Sequence, residues 1–328
     1  MKLATYRDGS RDGQLVVVSR DLGSAHYATG IATRLQQALD DWNFISPQLH
    51  DLYERLNAGK ARHAFAFDAR QCMAPLPRAY QWVVGSALID HAEAAREARA
   101  AGAPLSTSTE PLMYQGGSDD FLGACDDIRA DEASGIDFGA GLAVVTGDVP
   151  IGASPEAALE GVRLLMLVNE VSLRQLIPAG PTTGFGFLQG KPATAFGPVA
   201  VTPDELGAAW RGGRVHLALQ CDWNGETFGR CEAGTETSPH FGRLIAHLCK
   251  TRNARAGSIV GSGTVSSRDP SQGCACIAEK RALETLEHGA PTTGFMRHGD
   301  TLRIEMQGDD GRSVFGAIEQ TLRPVPAA

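Results

Sequence analysis

Hydrophobic residues along this chain alternate with polar ones or gather in short runs, a pattern typical of strands. The first 20 residues alternate and end in the apolar run 15–18, which predicts a small sheet. Similar short runs predict strands at 142–146, 164–168, 199–201, 215–221, 259–261 and 301–306. Their spacing favours a β-rich core rather than a regular alternation of strands and helices.

Helical spacing of apolar residues occurs in fewer places. Ile31, Leu35 and Leu39 recur at that spacing within residues 27–59, which predicts a helical segment. Further helices are predicted at 86–101, 155–162, 238–249 and 278–287. Strands together with a few helices predict the α+β class. A proline-rich stretch at 74–77 resembles a linker, so we expect a small N-terminal domain over 1–70 and a larger domain over 71–328.

Composition excludes several classes of function. The chain has 328 residues, 43% of them hydrophobic, and a net charge of −8. A negative net charge argues against nucleic acid as the main partner. No apolar run reaches the length of a membrane span, and Asp8, Asp12 and Asp21 interrupt the N-terminal segment, which therefore does not resemble a signal peptide. We expect a cytoplasmic protein that binds a small molecule and neither a membrane nor nucleic acid.

The cysteines point to the same compartment. There are seven, scattered along the chain, which is typical of reduced thiols rather than a disulfide framework. Cys274 and Cys276 form the only close pair. A zinc site normally needs a second pair at matching spacing, so a zinc, copper or iron site at these thiols is kept only as an alternative.

Several stretches combine glycine with polar residues that can do chemistry. A histidine and a glutamate could act as acid and base, and a lysine in a glycine-flanked loop could hold an anion. Taken alone, each also has a structural explanation as a surface residue or a turn. The stretches are 80–85 followed by His91, 111–120, 135–145, 168–174, 184–191, and 259–266 followed by Glu279.

Taken together, these stretches resemble the fumarylacetoacetate hydrolase family over about residues 70–318. The resemblance includes Asn169-x-x-Ser172-x-Arg174, Gly190-Lys191-Pro192 and the run 261–264. It implies an α+β fold with a mixed β-roll, barrel-like core and a small N-terminal α+β domain. It also implies a homodimer with a divalent metal ion, acting on β-diketo acids or related oxo acids.

The resemblance assigns three catalytic roles. His91 matches the general base of the family, Glu279 matches the carboxylate that orients this base, and Lys191 matches the lysine that stabilises negative charge. Together they form the set that acyl or carbanion chemistry needs.

It also assigns residues that bind substrate. Tyr114 matches a tyrosine near the substrate carboxylate. Gly263 and Thr264 match the backbone and hydroxyl groups that hold the other end of the substrate.

The metal ligands of the family are mostly missing. Its four carboxylates correspond here to Val84, Gly139, Gly141 and Glu170. Because Mg²⁺ and Ca²⁺ need several oxygen ligands, a degenerate metal site and no cofactor are expected. Weak binding of Mg²⁺ or Ca²⁺ through Glu170, with Asp137 nearby, remains the alternative. The two glycines and the valine should leave a wider and more apolar pocket.

Two classes of function remain open. The first is an enzyme that cleaves, decarboxylates or cyclises an oxo acid or related carbonyl compound without a metal ion. The second is a small-molecule binder or partner subunit that has lost catalysis. Two further points stay open: Gly139 and Gly141 could be natural or engineered, and Lys191 could become a nucleophilic amine if it were buried without a partner.

Overall fold

The computed structural model of the protein describes residues 1–85, 110–177, 187–234, 240–267 and 269–326. The helix predicted at 86–101 and the candidate base His91 lie outside these described residues. All seven cysteines lie within them and are unbonded, as expected for reduced thiols.

The described residues form many short strands and a smaller number of helices. The α-helices are α1 (Leu35–Asp40), α2 (Trp42–Asn57), α3 (Pro155–Glu160), α4 (Phe187–Gly190), α5 (Phe241–Leu248) and α6 (Ile277–His288). The strands are β1 (Lys2–Tyr6), β2 (Gln14–Val18), β3 (Ser24–Tyr27), β4 (Phe65–Ala66), β5 (Gln81–Gly85), β6 (Met113–Gln115), β7 (Ile128–Arg129), β8 (Ile136–Asp137), β9 (Ala140–Thr146), β10 (Val162–Asn169), β11 (Ser172–Leu173), β12 (Ala195–Phe196), β13 (Ala200–Val201), β14 (Trp210–Arg211), β15 (Arg214–Val215), β16 (Ala218–Trp223), β17 (Glu226–Glu232), β18 (Ser258–Thr264), β19 (Thr301–Met306) and β20 (Ile318–Arg323).

A large mixed sheet forms the centre of the fold. Its strand order is β4-β3-β2-β1-β13-β10-β9-β18-β5-β6, with β12 added beside β10. Central strand β10 carries an almost continuous apolar run and is buried nearly throughout, as expected for a strand covered on both faces. In β9, Leu142 and Val144 belong to one hydrophobic core, whereas Ala143 and Val145 belong to the other. The sheet therefore separates two cores.

A second sheet packs on one of these cores. It has the order β17-β16-β19-β20-β7, and its buried Leu219, Ile304 and Ile318 join the core that contains Leu142. The combination of mixed sheets with flanking helices confirms the α+β class predicted from the sequence.

Most predicted elements are present, with two informative differences. The segment 27–59 begins as strand β3 and contains two helices that meet at Asp41, rather than one continuous helix. The run 215–221 is divided between β15 and β16, because β15 pairs with β14 in a separate hairpin. By contrast, β19 has the predicted bounds 301–306.

The N-terminal strands extend the central sheet. Strand β1 pairs with β13 through Lys2 and Leu3, and the buried face of α2, including Leu49 and Leu52, covers the core on that side. The proposed boundary near residue 70 stays a prediction. Within the described ranges, no helix combines the length and apolar character needed to cross a bilayer.

Helix α6 carries Glu279 and is fixed to the following loop near its C-terminal end. Glu284 accepts hydrogen bonds from the amides of Thr292 at 2.7 Å and Thr293 at 2.8 Å, and from the Thr293 hydroxyl at 2.5 Å. Desolvation opposes ionisation of Glu284, but these hydrogen bonds outweigh it and lower its pKa to about 2. The carboxylate therefore stabilises the fold in its ionised form.

The stability of the Glu284→Gln variant tests this contact. The pKa of Glu284 is lower in the folded protein than in the unfolded chain. Its ionised carboxylate therefore stabilises the fold above pH 4.5, and this stabilisation is lost as the pH falls towards 2. We expect Glu284→Gln to lose about 2 kcal/mol at pH 7 and to converge with the unsubstituted protein at low pH. Urea unfolding at several pH values measures the loss of stability at pH 7 and the convergence at low pH. Glu287→Gln, at an exposed position, is the control, and an equal loss in both variants would contradict the assignment.

Candidate functional site

The candidate site surrounds the beginning of strand β9. The Gly139 amide donates a hydrogen bond to Asn169 Oδ1 at 3.1 Å, and its carbonyl accepts one from the Glu170 amide at 2.8 Å. Gly139 also pairs with Cys276, just before α6. The Asn169 amide group in turn donates to Gln320 at 2.8 Å. Backbone contacts thus bring the segments at 139, 169–170 and 276 together.

Lys191 is held by three groups in the same region. Its ammonium lies 2.5 Å from Glu170 Oε1 and 2.8 Å from Ser172 Oγ, and it stands 5.0 Å from the centre of the Tyr114 ring. The exposed fractions of the Lys191 and Glu170 side chains are 14% and 7%. The ammonium is thus paired with a carboxylate and faces an aromatic ring. The condition for a nucleophilic amine, burial without a partner, is not met.

Asp137 and Arg174 form a second buried ion pair. Nε and Nη2 of Arg174 both lie 2.8 Å from Asp137 Oδ2. Burial lowers the pKa of Arg174, but the facing Asp137 carboxylate more than compensates and holds that pKa above its usual range. Asp137 also accepts hydrogen bonds from the amides of Ile277 at 2.6 Å and Ala278 at 3.2 Å. Its oxygens therefore cap helix α6 and are already occupied by donors.

Glu279 lies in the first turn of α6, beyond this cap. Its Oε1 accepts a hydrogen bond from the hydroxyl of Ser266. Its Oε2 is buried and has no hydrogen-bond partner among the described residues. Burial raises the pKa of the Glu279 carboxyl above its usual value, and the charge of Asp137 adds to this effect, although hydrogen bonds from Ser266 and the Ala275 backbone oppose it. This carboxyl is therefore easier to protonate than an exposed one.

Gly139 and Gly141 do not leave open space, so the expectation of a wider pocket at these positions is wrong. A Cβ atom at Gly139 would lie 2.7 Å from the Glu170 carbonyl oxygen and 3.2 Å from Thr264 Oγ1. A Cβ atom at Gly141 would lie 2.4 Å from the Gly263 carbonyl oxygen. Neighbouring main chain therefore occupies the volume in which side chains at these positions would begin.

The Gly263 carbonyl is fixed in this position by its own strand. Gly263 has a φ of +74°, and the register between β18 and β9 shifts between Gly261 and Thr264, as at a bulge. The Ser262 hydroxyl donates to the Gly263 carbonyl at 2.7 Å and accepts from the Leu142 amide at 3.2 Å. The glycines suit this close backbone packing.

Val84 lines the same region. It lies opposite Tyr114 in the pairing of β5 with β6, and its exposed fraction is 1%. Residues directly opposite on neighbouring strands share a face of the sheet. Val84 is therefore placed beside the ring that contacts Lys191. His91 follows β5 but falls in the segment 86–109, outside the described residues, so its position relative to Glu279 stays a prediction.

The donor set does not fit the divalent metal that the family resemblance implies. Val84, Gly139 and Gly141 offer no side-chain oxygen. Glu170 has Lys191 as its partner. Across the described ranges, no group of three or more histidine, cysteine, aspartate or glutamate side chains is arranged to hold a metal ion, and this includes the alternative at Cys274 and Cys276. An ammonium placed 2.5 Å from the remaining carboxylate is also a direct electrostatic competitor for a cation at that point.

The sequence motifs point to residues that the structure places near one another, but not to the groups that hold them. No role is predicted for Ser266 or Ser172, and the pairing of Asp137 with Arg174 is not predicted either. Ser172 and Arg174 stand in a recognised motif, which could have drawn attention to them. The contact between Asp137 and the start of α6 spans 140 residues, and no local signal indicates it.

Comparisons with known proteins agree with this architecture. Residues 1–78 match the family described as fumarylacetoacetase N-terminal domain 2. Residues 81–323 match the fumarylacetoacetate hydrolase C-terminal family. No curated protein sequence matches the chain.

Solved structures with a similar fold include the following three. A fumarylacetoacetate hydrolase from Exiguobacterium antarcticum has 18% identity and a TM-score of 0.66. A maleylpyruvate hydrolase from Sphingobium, solved with manganese(II) and pyruvate, has 14% identity and a TM-score of 0.64. A 5-carboxymethyl-2-hydroxymuconate delta-isomerase from Mycobacterium smegmatis has 14% identity and a TM-score of 0.60. Each alignment covers 99% of this chain and 100% of the other.

Proposed function

The chain belongs to the fumarylacetoacetate hydrolase family, and from that premise we propose that it is an enzyme that needs no divalent metal ion. Its substrate is an oxo acid or a related carbonyl compound. Its reaction is C–C hydrolysis, decarboxylation or cyclisation, driven by His91 and Glu279 as an acid–base pair. Relatives described as hydrolases and isomerases support enzymatic activity in general.

The contact between Lys191 and Glu170 carries this proposal. Reactions at a carbonyl build negative charge on oxygen, and one preorganised donor at such an oxyanion contributes about 3 kcal/mol. The Lys191 ammonium, fixed by Glu170 and Ser172 and packed against Tyr114, is such a donor. In this proposal a cation built into the chain supplies the electrostatic stabilisation that a bound ion would otherwise supply.

The remaining residues supply proton transfer and binding. His91 takes a proton from water or substrate, and Glu279 acts with it. Thr264 and the Gly263 backbone bind the end of the substrate remote from Tyr114, and Val84 gives the site an apolar wall. Gly139 and Gly141 contribute by letting the main chain close around the bound molecule. We further propose that the protein works in the cytoplasm as a homodimer.

A substrate screen tests the assignment of the acid–base pair. We expect turnover of an oxo acid or 1,3-dicarbonyl compound that is unchanged by a chelator. His91→Ala and Glu279→Gln should each reduce kcat about a hundredfold, as is typical for loss of a proton-transfer group. Glu287→Gln, on an exposed part of the same helix, serves as the control. Turnover that is unaffected by both site substitutions would show that these roles are wrong.

A second candidate function is binding without catalysis. The missing carboxylates at Gly139 and Gly141 favour it, because they remove the metal centre of the family. In that case the purified chain would bind a small carbonyl acid saturably and show no turnover, and it would serve as a ligand-binding or partner subunit.

A further inference from the structure

A line of hydrogen bonds runs from the candidate site through the protein interior to strand β20. The Gly139 amide donates to Asn169 Oδ1 at 3.1 Å, and Asn169 Nδ2 donates to Gln320 Oε1 at 2.8 Å. Gln320 Nε2 then donates to the Asp126 carbonyl at 2.7 Å. The exposed fractions of Asn169 and Gln320 are 0% and 3%. Burying two amides so deeply is costly unless they are hydrogen-bonded, so these contacts are part of the fold.

Gln320 occupies a position where the strand pattern favours an apolar residue. Along β20, Ile318, Gln320 and Leu322 are buried, and the residues between them are exposed or partly exposed. This alternation places the three side chains on the same inward-facing side of the strand. Ile318 and Leu322 pack in the core, whereas Gln320 bonds to Asn169 of the central sheet. It thus makes a directed contact between two sheets that an aliphatic side chain could not make.

The two main-chain ends of this line fix the orientation of both amides. A side-chain amide has an oxygen that accepts and a nitrogen that donates. The Gly139 N–H can only donate, so it faces Asn169 Oδ1, and the Asp126 carbonyl can only accept, so it faces Gln320 Nε2. Turning either amide over would set donor against donor at one of its contacts and acceptor against acceptor at the other. The line therefore has one favourable arrangement.

Asn169 in turn fixes the main chain at Glu170. Its side chain accepts from the Gly139 amide, and the amide of the next residue, Glu170, donates to the Gly139 carbonyl at 2.8 Å. Gly139 is thus held on both sides by two consecutive residues, which determines where the chain leaves β10. The carboxylate that extends from this point, that of Glu170, lies 2.5 Å from the Lys191 ammonium.

From this geometry we infer that Gln320 is a positioning residue for the Lys191–Glu170 pair. It holds the Asn169 side chain in one orientation, and Asn169 holds Gly139 and the start of the segment at Glu170. The Glu170 carboxylate then sets where the Lys191 ammonium stands. This role rests on the proposed function, because the position of the ammonium affects catalysis only if it faces a reacting oxygen. Gln320 acts through Asn169 and is assigned no contact with substrate.

Substitutions of Gln320 that differ in hydrogen-bonding capacity test this role. In Gln320→Met the side chain keeps nearly the same length and can fill the same space, but its thioether is only a weak acceptor for Asn169 Nδ2. In Gln320→Glu a carboxyl oxygen still accepts from Asn169 Nδ2, whether the carboxyl is ionised or protonated. Positioning should therefore be lost in Gln320→Met and largely kept in Gln320→Glu. Gln320→Asn is too short to span both contacts and is the second disruptive variant if Gln320→Met does not fold.

Nuclear magnetic resonance of the lysine ammonium groups reports on Lys191 without any substrate. Ammonium protons that are shielded and hydrogen-bonded exchange slowly with water, and exposed ones exchange rapidly. Lys60, Lys250 and Lys280 are exposed, whereas Lys191 and Lys2 are shielded and bonded. In proton–nitrogen correlation spectra of the full-length protein at mildly acidic pH, we expect one protected signal from each of these two. The signal that is lost in Lys191→Met belongs to Lys191.

The Lys191 signal should respond to Gln320 selectively. In Gln320→Met it should shift or disappear through faster exchange, and in Gln320→Glu it should stay close to its position in the parent protein. The Lys2 signal should stay in place in both variants and serves as the internal reference. With a substrate identified, kcat of Gln320→Met should fall about a hundredfold, as for a small displacement of a catalytic group. KM should change little, because the proposed oxyanion contact forms in the transition state.

Thr5→Val is the matched control for a general loss of stability. The Thr5 hydroxyl is buried and donates to the Pro75 carbonyl at 2.6 Å, outside the line of contacts that ends at Gly139. Valine has a similar shape and removes this hydrogen bond. Thr5→Val should therefore lower the urea midpoint, as Gln320→Met does, and leave the Lys191 signal and kcat unchanged.

The outcomes separate this role from the proposed function. A Lys191 signal that is unchanged in the disruptive variants, or that moves equally in Thr5→Val, would overturn the role of Gln320. Turnover that depends on Lys191 but is unaffected by Gln320→Met would also overturn it and leave the enzyme assignment standing. A selective shift of the signal in a protein that turns over no carbonyl substrate would support the positioning contact and count against the enzyme.

Discussion

Replacing Gly141 by alanine is expected to destabilise the fold by about 3 kcal/mol, the upper range for overpacking a core. The new Cβ would lie 2.4 Å from the Gly263 carbonyl oxygen and 3.2 Å from the carbonyl carbon. These atoms belong to the main chain of β18, and the Ser262 hydroxyl holds the carbonyl in place. Neither can move aside as the end of a flexible side chain would. Urea unfolding measures the loss.

The control for this variant is Gly294→Ala. A Cβ at Gly294 meets no atom within 4 Å, so its stability should change by less than about 0.5 kcal/mol. The double change Gly139→Glu with Gly141→Glu, which restores two acids, should yield an unfolded protein rather than a metal site. A Gly141→Ala variant as stable as the parent would show that the main chain does not close over this position.

Replacing Lys191 by methionine is expected to have two large effects. It leaves Glu170, of which 7% is exposed, as a buried charge without its partner, which should cost about 3 kcal/mol of stability. It also removes the proposed oxyanion donor, which should reduce kcat about a thousandfold. Unfolding and steady-state kinetics measure the two effects independently.

A second substitution separates these effects. Adding Glu170→Gln to Lys191→Met removes the unpaired charge, so stability should largely return while activity stays low. Lys250→Met provides a surface control, because Lys250 pairs with Glu110 at an exposed position and such pairs contribute under about 1 kcal/mol. Recovery of activity along with stability would indicate that Lys191 has a structural role only.

Elements with strong local patterns could be predicted from the sequence. Strand β19 has the predicted bounds, and the central strands β9 and β10 contain the predicted runs. The segment 27–59 was harder, because strand β3 and the break at Asp41 depend on tertiary pairing as well as periodicity. Helical spacing alone does not show where a helix is interrupted.

In the candidate site, too, some features follow from local sequence motifs and others depend on long-range contacts. Sequence motifs singled out Tyr114, Glu170 and Lys191, and the structure brings these three side chains together; their roles stay predictions. The motif also indicated that metal ligands are missing at Gly139 and Gly141. It did not indicate which atoms occupy the space that side chains at these positions would need. Whether a glycine leaves a cavity or admits a neighbouring backbone depends on the approach of other strands, and those contacts are long-range. The hydrogen bond from Ser266 to Glu279 depends on the same kind of packing.

Binding of Mn²⁺ to the purified full-length chain tests the central claim, that the Lys191 ammonium stands where a cation would be held. Electron paramagnetic resonance reports free and bound Mn²⁺ directly and needs no substrate. We predict no stoichiometric binding to the parent protein, because Glu170 is occupied and the other ligand positions lack oxygens. One tightly bound Mn²⁺ per chain, released by Glu170→Gln, would contradict the account.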